Sequence, residues 1–148
     1  MAAAYQHDIE VEQGDLQTDI DMFHMAIKKG LWNGANEYIT RHGVDIISQK
    51  SLSSSSKGWT SLHVAVDAGK FEIMKKLVEK GALLTEKDSE GYTPFALVVE
   101  LNDIFVVDWM LNVGGNELLT MKINSEDDKG DIPVVLAATK GYKLQRND

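Results

Sequence analysis

A nine-residue pattern recurs along this chain, and its spacing constrains the fold more than any other feature. Lys57-Gly58-Trp59-Thr60-Ser61-Leu62-His63-Val64-Ala65 returns 33 residues later as Glu90-Gly91-Tyr92-Thr93-Pro94-Phe95-Ala96-Leu97-Val98. It returns again, 39 residues further on, as Lys129-Gly130-Asp131-Ile132-Pro133-Val134-Val135-Leu136-Ala137. A degenerate copy, Phe23-His24-Met25-Ala26, stands 39 residues before Leu62-His63-Val64-Ala65. At a fixed distance each copy is followed by Gly30, Gly69, Asn102 or Gly141. Self-similarity at this period describes a stack of small units, each burying one face on its neighbour, in place of one globular core.

The residue types define the unit. Gly58 and Gly91 suit a tight turn that needs positive φ. Thr60 and Thr93 can cap a helix, and Pro94 is well tolerated at a first helical position. The apolar residues that follow begin a short helix, which the next Gly or Asn ends. A second helix is predicted from the apolar spacing of Phe71, Ile73, Met74, Leu77 and Val78, and from that of Ile104, Val107, Met110 and Leu111. It closes at Gly81 in one copy and at Gly114-Gly115 in the next. The unit is therefore turn, helix, turn, helix.

This pattern resembles the ankyrin repeat. Gly58–Ala65 matches Gly-x-Thr-Pro-Leu-His-x-Ala with Ser61 in place of Pro, and Leu77-Val78-Glu79-Lys80-Gly81-Ala82 matches the family's second-helix ending. The resemblance covers residues 22–143 and implies an all-α ankyrin-repeat solenoid of about three and a half repeats. The repeats fall at about 22–56, 57–87, 88–123 and 124–148, the last truncated, after an acidic leader over 1–21. More narrowly, Ala26–Trp32 with Ala35–Ile39, and Gly130–Ala138, are similar to a plant group with N-terminal ankyrin repeats ahead of a membrane-spanning PGG-type domain. That resemblance implies a role in stress and defence signalling at membranes. The chain departs from it by carrying no membrane-spanning part, and by ending at Asp148 where a full second helix is expected. Val134, Val135, Leu136, Ile104, Val107 and Leu111 are therefore expected to be partly uncovered. Either the end frays, or another chain or a second copy of this one covers it.

Composition narrows the function. The chain has 148 residues, no cysteine and a net charge of −8. Disulfides, thiolate zinc sites and cysteine nucleophiles are thereby excluded. Residues 1–21 lack the basic start and apolar stretch of a signal peptide, and apolar runs such as Phe95–Val99 are far too short to span a bilayer. A net negative chain also fits poorly with binding nucleic-acid phosphates. A soluble, cytoplasmic protein is expected. The charge is uneven: −6 over 1–21, +2 over 22–56, +2 over 57–87, −5 over 88–123 and −1 over 124–148. The leader reads as a solvated segment or as an acidic docking arm, and the solenoid surface as polarised along its length.

Ankyrin repeats bind other proteins through their fingertips and first helices, so the resemblance implies a protein partner and no cofactor. The position after the finger Gly holds Trp59, Tyr92 and Asp131. Trp59 and Tyr92 read either as a binding hot spot or as rings stacked within the fingers. Lys57, Ser89, Glu90 and Lys129 flank them, while Asp67, Ala68, Glu100, Leu101, Thr139 and Lys140 belong on one side of the first helices. His63 implies, by the resemblance, a hydrogen bond between adjacent hairpins, with His24 as its equivalent. The four histidines have no zinc-ligand spacing, and Glu126-Asp127-Asp128 lacks that of a calcium loop. No Gly-x-Ser-x-Gly, phosphate loop or His-Glu-x-x-His occurs, so no enzyme is expected. The two 39-residue spacings place insertions around Ser51–Ser56 and Asn116–Asp128. Ser53-Ser54-Ser55-Ser56 reads as a polar loop whose phosphorylation would put negative charge beside Trp59.

Overall fold

Leu16, Ile20, Phe23 and Ile27 recur at helical spacing, and they lay one apolar stripe along the first helix of the computed structural model. The structure describes residues 16–52, 57–115, 117 and 118. Helix α1 covers 16–28, with Ile20, Phe23 and Ile27 buried. It thus takes in 16–21, which the charge pattern alone assigns to the leader: Ile20 docks in the core while Asp19 pairs with Arg41 and His42 at the surface. Residues 1–15 lie outside the described region.

Five further helices follow among the described residues: α2 Trp32–His42, α3 Ser61–Asp67, α4 Phe71–Glu79, α5 Pro94–Leu101 and α6 Ile104–Gly114. They pair as α1–α2, α3–α4 and α5–α6, with no strand among the described residues. The all-α stack of helix pairs expected from the repeat is the fold observed. The fourth repeat, 124–148, lies outside the described residues.

The local rules act as the sequence implies. Thr93 Oγ1 accepts from the Ala96 amide at 3.0 Å, and Pro94 opens α5. Asn102 ends α5 in the left-handed region at φ 62°, where Asn is among the few non-glycine residues that fit easily. One core runs through the stack, with Phe23, Ile27, Leu62, Leu77, Phe95, Val98, Val107 and Met110 fully enclosed. Val107 belongs to that core and is not uncovered as expected, because its face of α6 turns inward with Val106 and Met110. Ile104 is exposed and Leu111 half-buried.

The connection between α2 and α3 also contributes to the core. Val44–Ser48 form a single 3-10 turn that buries Ile46 and Ile47. The Ile47 carbonyl accepts from Ser61 Oγ at 2.7 Å, and Ser51 Oγ donates to Asp21 Oδ1 at 2.6 Å. Ser53–Ser56 lie outside the described residues.

Candidate functional site

The fingers between helix pairs are where the candidate residues gather, and their geometry begins with a buried carboxylate. Asp88 Oδ1 accepts from the backbone amides of Glu90 and Tyr92, each at 2.8 Å, and Oδ2 accepts from Trp59 Nε1 at 3.0 Å. The Asp88 amide donates in turn to the Tyr92 carbonyl at 2.8 Å. One acidic side chain thereby closes the finger before α5 and ties it to the preceding finger. Short Asp-to-backbone bonds of this kind are the ordinary way such turns are held. Asp88 is absent from the residues that the sequence singles out; its place three residues before a Gly that precedes Thr-Pro is the signal that could have found it.

His63 provides the second tie. Its Nε2 lies 2.8 Å from the Tyr92 carbonyl oxygen, which can only accept, so Nε2 carries the proton. Nδ1 is then the acceptor for the Thr60 backbone amide at 3.2 Å and the Thr60 hydroxyl at 2.9 Å. One neutral imidazole caps α3 and bridges to the next finger, the hairpin bond that the resemblance implies. Burial holds His63 below the usual histidine range, chiefly by desolvating the charged form. His24, its counterpart in the first repeat, is pushed down to about 4, again chiefly by burial. Unlike His63, its Nε2 is buried with no hydrogen-bond partner among the described residues. His42 instead pairs with Asp19 at 2.7 Å, beside an Arg41–Asp19 contact of 3.1 Å.

The aromatic fingertips are engaged within this network. Trp59 is half-buried, stacks within 7° of parallel on the His63 ring at 6.5 Å, and carries Lys57 Nζ 5.9 Å from its centroid. Tyr92 is half-buried and held through its backbone. Trp59 and Tyr92 are joined through Asp88 and His63. Around them Lys57, Ser89 and Glu90 are exposed. The Lys57 carbonyl accepts from the Ser89 amide at 2.9 Å and its hydroxyl at 2.6 Å, so the two turns touch. A Cβ on Gly58 would come within 3.0 Å of the Ser89 nitrogen, and its φ is 70°. Glycine there permits both the turn and the approach.

On the first helices Asp67 is exposed at the end of α3, and Glu100 and Leu101 close α5 half-buried and exposed respectively. Lys129, Asp131, Thr139 and Lys140 lie outside the described residues. Among the described residues no group of three or more His, Asp or Glu side chains could hold a metal ion, and no helix is long and apolar enough to cross a membrane. A shallow open depression of about 340 Å³ beside α2, lined by Asn33, Asn36, Glu37, Thr40 and Arg41, is a stretch of helix surface with no buried polar group aimed into it.

Comparison with known proteins agrees with this architecture. The family model for ankyrin repeats matches residues 23–118 in three copies. Among curated proteins, the chain is similar to the "Inhibitor of Bruton tyrosine kinase" of Xenopus laevis, with 32% identity over 77 residues. That match takes in 52% of this chain and 6% of the relative. It is also similar to "Ankyrin repeat and SAM domain-containing protein 6" of Rattus norvegicus, with 47% identity over 49 residues, 33% of this chain and 6% of that protein. The chain thus spans a small fraction of either relative. Ankyrin repeats bind other proteins and are generally non-enzymatic modules. From the helix pairs, the bridged fingers and the match to more than half its length, the chain belongs to the ankyrin-repeat family.

Proposed function

We propose that this protein is a non-enzymatic regulator or scaffold that acts by binding a protein partner in the cytoplasm, in plant stress or defence signalling. The observation that carries the binding role is a division within the fingers. Asp88, His63 and backbone groups hold their shape, while Lys57, Ser89 and Glu90 stand exposed at the tips and Asp67 on the adjoining helix. Those side chains set charge on a preshaped surface, which favours selection of a partner by complementarity. Trp59 and Tyr92 add their half-exposed rings, and Glu100 and Leu101 continue the surface along α5. Lys129, Asp131 and Lys140 would extend it into the fourth repeat. The plant assignment rests on the resemblance of Ala26–Trp32, Ala35–Ile39 and Gly130–Ala138.

A second reading makes this chain the cytosolic ankyrin portion of a membrane-anchored signalling or transport protein. The same resemblance favours it. The full-length transcript separates the two, since a downstream run of apolar helices supports the second.

Affinity purification from plant tissue with the wild-type chain and a Lys57→Ala, Asp67→Ala, Glu90→Ala variant tests the binding role. A specific partner lost in the variant, with the fold retained by circular dichroism, supports it. No partner enriched over an unrelated ankyrin control rejects it.

A further inference from the structure

The third repeat exposes Leu101, Ile104 and Phe105 together at the turn between its two helices. Leu101 and Ile104 flank the turn between α5 and α6, and Phe105 follows on α6 with 66% of its surface exposed. One turn further, Trp109 is half-buried, and both rings meet Phe71 of α4 edge-on, at 5.0 Å for Phe105 and 5.2 Å for Trp109. The repeat register makes Phe105 unusual. Its equivalents, by offsets of 33 and 39 residues, are Glu72 and Asn33, both polar and both exposed. Leu101 likewise replaces Ala68 and Lys29.

This register also excludes one occupant. Glu72 and Asn33 stay exposed although another repeat follows each of them, so a fourth repeat packed in the same way would leave Phe105 open, and Leu101, whose equivalents are the half-buried Ala68 and the exposed Lys29, partly so. Ile104 is different. Its equivalents Phe71 and Trp32 both contact the following repeat, through Trp109 and through Lys76 Nζ, which lies 5.8 Å from the Trp32 ring centroid. The surface that needs an external partner is therefore Leu101 and Phe105, with Trp109 and Phe71 behind them.

Charge says what kind of partner. From residue 88 to 118 the chain has no Lys, Arg or His, and it carries Asp88, Glu90, Glu100, Asp103, Asp108 and Glu117. Glu100 and Asp103 border the turn, and Asp108 shares the Phe105 face of α6 at a spacing of three. On the α4 side one cation borders the patch: Lys75 Nζ lies 5.0 Å from the Phe71 ring centroid and is paired with Glu72 at 2.9 Å, so that edge is charge-balanced and the acidic rim is that of α5 and α6. An apolar patch with an acidic rim complements a segment with aliphatic anchors and basic flanks. We infer that Leu101 and Phe105 form a docking surface for a basic amphipathic helix of a partner protein. The inference rests on the chain being a protein-binding module and places a contact outside the fingers.

Two labelled helical peptides with the same leucine face, one with lysines on its polar face and one with glutamates, test this against the full chain by fluorescence anisotropy. The lysine peptide is expected to bind at least about tenfold tighter than the glutamate peptide. A Leu101→Ala, Phe105→Asn variant, which borrows residues from equivalent positions, is expected to lose about tenfold or more for the lysine peptide while its melting temperature stays near wild type. Equal binding of both peptides, or undiminished binding by the variant, overturns the proposal. So does a concentration-dependent dimer in light scattering that the variant abolishes, which gives the patch to a second copy. In the tissue purification, a partner lost by the finger variant but kept by the Leu101/Phe105 variant rejects this surface and leaves the binding role standing.

Discussion

The imidazole of His63 donates to the carbonyl of Tyr92 across the boundary between the second and third repeats, at 2.8 Å. The same ring accepts from Thr60 at the start of its own helix. Protonating Nδ1 would remove that acceptor, so the contact depends on the ring staying neutral.

Acid should therefore weaken the fold through its two buried histidines. Their folded-state affinity for protons is depressed, to about 4 for His24 and in the same direction for His63. The unfolded chain protonates them near pH 6.5 and so binds more protons below that point, making stability fall as pH drops from about 6.5 through 4. The His24 shift alone corresponds to about 3 kcal/mol by pH 4. Urea denaturation at pH 7.5 and pH 4.5 measures it. His24→Leu should show a smaller loss than wild type between the two conditions.

Asp88→Ala should be the costliest polar substitution in the fingers. It strands two backbone amides and the Trp59 indole, and about 2–4 kcal/mol of stability should be lost. Chemical denaturation checks this, and a change below about 0.5 kcal/mol would mean that Asp88 does not hold the finger together.

Trp59→Phe keeps a ring beside His63 but deletes the Nε1 donor to Asp88. A loss of about 1 kcal/mol is expected, well short of the Asp88→Ala effect. If the two variants destabilise equally, the indole and not the carboxylate organises the finger.

Ile46→Ala should destabilise by about 2–5 kcal/mol, as a fully enclosed core side chain does, even though it sits in the turn after α2 and not in a long helix. Asn102→Gly should be nearly neutral, whereas Asn102→Val should cost about 1–2 kcal/mol by forcing a β-branched residue into the left-handed region. Thermal melts of the three variants give the order.

Much of this architecture is legible because the ankyrin unit writes its punctuation at fixed offsets. Gly58, Thr93, Pro94 and Asn102 each act locally, and their roles follow from residue type alone. Asp88 is harder to see because its contacts reach Trp59, 29 positions away, and no local pattern encodes that pairing. Ile46 and Ile47 lack helical periodicity and lie in the connection after α2, outside the apolar spacing that marks the helices. The start of α1 is masked by its acidic residues, although Leu16, Ile20, Phe23 and Ile27 keep helical phase. Phe105 stands out only when exposure is compared across repeats, since in sequence it reads as one more apolar residue of an apolar helix.

Apart from the Trp59–Asp88 bond, the bonds that reach from one repeat to the next finger end on main-chain oxygens. Lys57 accepts from Ser89, Tyr92 from His63, and Lys87 from Lys50 Nζ at 2.8 Å. Lys57, Lys87 and Tyr92 thus contribute to the joint through atoms every residue type possesses. Substitution at these positions leaves those acceptors in place, and a chain built in this way can acquire a new partner by changing its fingertips while its scaffold stays the same.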